Sequence, residues 1–155
     1  MRNILATLAV IFITALQVNA MTEADAKKFF NNYVNKANSY SEEISSMYAP
    51  NAVIIRQVIK PNGELVNVYS NSQVYLKQMK ISETVARARN YKNHYSNIKI
   101  TKVPKGYKVS AIRQPSGDND KLKIYQILKQ EPNGKIVIVE EMMQTRQQIF
   151  LKYAK

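Results

Sequence analysis

Few residues in this chain could do chemistry. His94 is the only histidine and stands between Asn93 and Tyr95. A lone histidine in such a run is more often a hydrogen-bonded strand residue than a proton shuttle. One histidine, no cysteine and no clustered carboxylates give no typical zinc or iron ligand set, so no metal and no cofactor are expected. Glu140 and Glu141 are adjacent in a β-forming run and should point to opposite faces, so one of them could enter the interior. A carboxylate in an apolar cavity has a raised pKa and can act as acid or base. The plainer alternative pairs one glutamate with Arg113 or Lys123 across a sheet and leaves the other in water.

Charge points to partners rather than to a reaction. The 155 residues hold 23 Lys and Arg against 11 Asp and Glu, a formal charge of +12. Such a balance favours anionic partners such as nucleic acid, acidic lipid head groups or cell-wall polymers. Lys, Asn, Ile and Tyr are also abundant together, as A/T-rich codons alone would produce. Arg87, Arg89, Tyr91, Lys92 and His94 interleave basic and aromatic side chains in the manner of single-strand binders. No recognised nucleic-acid motif accompanies them, which disfavours nucleic acid. An anionic envelope surface fits that patch better.

The elements that must position these residues fall into a leader and one domain. Arg2, the apolar run Ile4 to Leu16, and the small residues before Met21 read as a secretory signal peptide over residues 1–20. The protein is therefore expected to be exported, to the periplasm or beyond. Residues 21–155 suffice for a single domain with a 45% hydrophobic share. Without cysteine, that domain must hold together by its core alone.

Thr22 to Tyr40 reads as a long helix whose apolar stripe includes Phe29, Phe30 and Tyr33. Ser41 opens a short helix that Pro50 is expected to stop. Ala52 to Ile59 and Leu65 to Tyr69 form a hairpin around Pro61-Asn62-Gly63. Ser70 or Asn71 caps a third, short helix. Ser82 to Tyr95 fits a helix by Val85, Ala88 and Tyr91 but a strand by Ala86-Arg87-Ala88-Arg89, and strand is the expectation. From Ile98 onward the pattern is antiparallel strands, turning at Pro104-Lys105-Gly106 and Pro132-Asn133-Gly134 and ending in a strand from Ile136 to Gln148. The order predicts an α+β domain with helices on one face of a curved sheet.

With Met47-Tyr48-Ala49-Pro50-Asn51-Ala52-Val53 after the long helix, a third helix near Ser70 to Tyr75 and the terminal meander from His94 to Gln148, the chain resembles the nuclear transport factor 2-like superfamily of polyketide cyclase and ketosteroid isomerase type. The resemblance implies a cone: a strongly bent antiparallel sheet wrapped around the long N-terminal helix, with two shorter helices and a pocket at the open end. It also implies an aspartate base on the strand after Met47-Tyr48-Ala49 in isomerase-like members. Arg56 stands about there, and an arginine cannot be a general base near neutral pH. The resemblance thus implies a non-catalytic domain binding a small hydrophobic ligand in the cone, or a protein partner on the sheet. Pocket candidates are Tyr33, Tyr48, Arg56, Tyr75, Tyr95, Tyr125, Glu140 and Met142. The alternatives are a cyclase-, isomerase- or dehydratase-like enzyme with a different residue set, and a homodimeric interaction module, since fold alone does not fix function.

Overall fold

The computed structural model describes residues 19–154. The leader expected over residues 1–20 lies, but for Asn19 and Ala20, outside the described residues. Among the described residues no helix is long and apolar enough to cross a membrane.

The first helix, α1 (Glu23–Asn38), starts from a capping box. The Thr22 hydroxyl accepts from the Asp25 N–H at 3.2 Å, and the Asp25 carboxylate accepts from the Thr22 N–H at 2.8 Å. Its inward stripe buries Ala26, Phe30 and Tyr33. The chain leaves α1 through Tyr40, which takes a left-handed φ of 56°. Ser41 then caps a 3-10 helix, Glu42–Met47, that buries Ile44 and Met47.

Strand β1 (Tyr48–Ile59) begins at once, so Pro50 does not stop a helix; it lies inside the strand. The pairing of β1 is irregular between Tyr48 and Val53, and a proline is tolerated where no ladder N–H is required. Ser72 holds this irregular stretch, its hydroxyl 2.9 Å from the carbonyls of both Ala49 and Pro50. Strand β2 (Leu65–Asn71) returns antiparallel to β1.

Helix α2 (Ser72–Ala88) is capped by the Asn71 side chain, which accepts from the Val74 N–H at 2.9 Å. Here the structure corrects the expectation of a strand from Ser82. The segment continues α2 through Ala88, and β3 begins only at Asn93. Alternating Ala and Arg are strong helix formers. Glu83 pairs with Arg87 one turn on, and Asn90 at φ 47° closes the helix end. The expected short third helix is thus 17 residues long.

Strands β3 (Asn93–Val103), β4 (Gly106–Pro115), β5 (Leu122–Gln130) and β6 (Ile136–Thr145) complete one six-stranded sheet of order β2-β1-β6-β5-β4-β3. All neighbours are antiparallel except β1 and β6, which run parallel. The sheet curls without closing, giving an α+β cone with α1 on its inner face. Strand β6 stops at Thr145, short of the expected Gln148, and a 3-10 helix, Gln148–Tyr153, follows against β1 and β2.

One irregularity decides which residues enter the cone. Ile127 pairs with Glu140 and Leu128 with Ile138, so Val139 is an extra residue, a β-bulge in β6. Ile138 lies in the core before the bulge, and Glu141 and Met143 are buried after it. The simple alternation that groups Ile136, Ile138, Glu140 and Met142 on one face fails at Val139.

Candidate functional site: the floor of the cone and the outer sheet face

Glu141 sits at the centre of the cone with no exposure to solvent. Its carboxylate accepts from the Tyr48 hydroxyl at 3.0 and 3.1 Å and from the Gln126 amide at 2.6 Å. The Tyr33 hydroxyl lies 3.4 Å from that of Tyr48, and the Tyr75 hydroxyl contacts the Met143 sulfur at 3.8 Å. Burial pushes the Glu141 carboxyl up to about 7, although the Gln126 and Tyr48 hydrogen bonds and the Arg56 charge pull the other way. Burial, and then the Glu141 charge, drive the Tyr33 and Tyr48 hydroxyls well above the ordinary tyrosine range. These phenols therefore stay protonated and act as donors. The second amide atom of Gln126, Oε1, is buried without a partner.

Aromatic packing fills the space around this group. Tyr48 meets Tyr75 edge-on at 5.7 Å and Tyr33 at 6.4 Å, and Phe30 meets Tyr95 edge-on at 5.5 Å. Arg56 stands at the mouth, its guanidinium 5.2 Å from the Tyr75 ring and 4.4 Å from the Phe150 ring. It donates to Gln78 at 3.1 Å. Two concavities open elsewhere. One of ≈ 680 Å³ follows α1 past Asp25, Lys28, Phe29 and Asn32, and one of ≈ 280 Å³ lies among Val53, Val103, Lys105, Ile127, Val139 and Glu140.

The eight pocket candidates therefore divide. Tyr33, Tyr48 and Tyr75 converge on Glu141, Tyr95 packs on Phe30, and Arg56 is at the mouth. Tyr125, Glu140 and Met142 stand on the opposite, outer face, where the Tyr125 hydroxyl donates to Glu140 at 2.7 Å. The inward carboxylate is Glu141, and only the bulge at Val139 distinguishes it from Glu140. Neither glutamate has an ion-pair partner among the described residues; Arg113 instead donates to Asn93 and to the Gln144 carbonyl. His94 is exposed on edge strand β3. Among the described residues no three His, Cys, Asp or Glu side chains gather as a metal site would require.

No family model and no curated protein matches this sequence. Solved structures do match. A Pseudomonas putida NTF2-like protein of unknown function superposes with a TM-score of 0.60 at 8% identity, over 79% of this chain and 84% of that one. A Catenulispora acidiphila protein in complex with S-DNPA matches with a TM-score of 0.54 at 8% identity, over 78% and 90%. A chain of the yeast deubiquitinase Ubp3 and Bre5 cofactor complex matches with a TM-score of 0.58 at 16% identity, over 78% and 93%. The fold is nuclear transport factor 2-like.

The outer face of this NTF2-like sheet is the second candidate. The register lines up Tyr69, Ile55, Met142, Tyr125, Ser110 and Lys99 as one row across all six strands. A neighbouring row runs Val53, Glu140, Ile127, Lys108 and Thr101. Lys123 and Lys129 project from β5 on the same face, by alternation with Tyr125 and Ile127. Lys108 lies over the Tyr125 ring at 4.0 Å. The face is apolar towards β2 and β1, with exposed Leu65, Tyr69 and Val53, and cationic towards β3, β4 and β5. Of the basic patch expected at Arg87 to His94, Arg87 pairs with Glu83 and caps the Tyr40 carbonyl from α2, and His94 belongs to β3.

Proposed function

We propose that this chain is an exported, non-catalytic binding domain of the cell envelope that engages its partner through the outer face of the sheet. One contrast carries the reading. Lys99, Lys108, Lys123 and Lys129 share that face with exposed Val53 and Tyr69, and none of the four makes an ion pair among the described residues. The cone, by contrast, is filled by its own aromatic rings. Export rests on Arg2 and the apolar run Ile4 to Leu16. The reading is tested by replacing the four lysines with glutamate in the full chain and fractionating the expressing cells. The variant leaves the envelope fraction for the soluble one; unchanged retention refutes the assignment.

A second reading is favoured by the raised pKa of Glu141. A carboxyl near 7 beside a phenol donor suits proton transfer on a small apolar substrate, as in a cyclase-, isomerase- or dehydratase-like enzyme. It requires the mouth at Arg56 and Phe150 to open. Turnover lost in Glu141→Gln, with folding retained, would establish it.

A further inference from the structure

We infer that the partner of the outer sheet face is an anionic phospholipid surface; this rests on the reading that the sheet face is the working surface. The four side chains are lysines, compact charges on flexible stems, not the rigid forks that recognise a fixed carboxylate geometry. They spread over β3, β4 and β5 without converging on one point. Such an array suits many laterally mobile phosphates better than one shaped ligand. The exposed apolar side chains lie on adjacent strands of the same face, and Tyr69, 64% exposed, is amphipathic and suited to the head-group layer. Glu140 is the one carboxylate among these rows, and it accepts a hydrogen bond from Tyr125.

A second copy of the chain fits this face poorly. Two such faces packed together would confine both sets of four lysines with one carboxylate each, and like charges across an interface oppose association. On α2, beside exposed Val74, Ile81 and Val85, Lys80 and Arg87 are paired with Glu42 and Glu83, which leaves Lys77 as the one basic side chain of that helix without an ion pair among the described residues.

The test is flotation of the purified protein with vesicles containing phosphatidylglycerol and with vesicles of phosphatidylcholine alone. Binding is expected only to the first. It weakens as ionic strength rises, and falls about five-fold for each of Lys99, Lys108, Lys123 and Lys129 changed to Gln. Lys27→Gln and Lys77→Gln on the helices leave it unchanged. Absent binding, equal binding to both vesicles, or equal effects of sheet and helix lysines overturn the inference. If vesicles are not bound but the four-glutamate variant still leaves the envelope, the lipid assignment falls and the sheet-face reading stands, with an acidic protein or polymer as partner. If neither effect occurs, both fall.

Discussion

The Tyr48 hydroxyl lies 3.0 Å from one carboxylate oxygen of Glu141 and 3.1 Å from the other, tying the first residue of β1 to the middle of β6. The bond joins strands that run parallel, and it lies where the β1 register is irregular. It also places an ionisable group where an apolar side chain would cost less. Two consequences concern stability.

The first is a pH dependence. The folded-state pKa of Glu141, about 7, stands above its ordinary 4.5, so the native protein holds a proton that the unfolded chain releases between these values. The associated stability is fully present below about pH 4.5, declines as pH rises to about 7 and is lost above it. The drop is on the order of 3 kcal/mol. Urea unfolding at pH 5 and pH 8 should reveal it, and Glu141→Gln should flatten the difference.

Tyr48→Phe deletes a donor to the carboxylate while keeping the ring. The ionised form of Glu141 then loses support, its pKa rises further, and the decline in stability extends to higher pH. The expected loss at pH 8 is about 1–3 kcal/mol, with a smaller effect at pH 5, measured by the same unfolding curves. Equal losses at both pH values would mean that the hydroxyl does not act through the carboxylate.

Gly106 closes the β3–β4 turn at φ +145°, and a Cβ there would come within 2.1 Å of the Leu128 carbonyl oxygen. That neighbour is backbone within β5, which cannot move aside cheaply. Gly106→Ala should destabilise the fold by about 2–4 kcal/mol, read as a lowered Tm. Gly63→Ala is the comparison, since no atom lies within 4 Å of its Cβ position and only its φ of +85° opposes it. Its loss should be the smaller.

Much of the fold was legible because local signals agreed with it. Thr22 and Asn71 cap the helices, and Pro61-Asn62-Gly63 and Pro132-Asn133-Gly134 mark the turns. Strand β5 occupies Leu122–Gln130, as its alternation implies. The segment Ser82–Ala88 was misleading because four residues of Ala and Arg alternate in both periods, and the arbiters are the Glu83–Arg87 pair and the left-handed Asn90. Glu141 could not be separated from Glu140, because a bulge at Val139 depends on the partner strand β5 and leaves no mark in β6 itself. The charge asymmetry of the outer face was hidden for a similar reason: Lys99, Lys108, Lys123 and Lys129 are distant in sequence and meet only through sheet register.

The most direct measurement uses the absence of cysteine from the chain. Single cysteines at Thr101, on the outer face, and at Val85, on exposed α2, can each be labelled with a maleimide in the free protein and in the envelope fraction. Thr101→Cys is expected to react readily when free and to be protected in the envelope, while Val85→Cys reacts equally in both. Protection at Val85 with Thr101 still open, or no protection at either, would contradict the assignment of function to the outer face of the sheet.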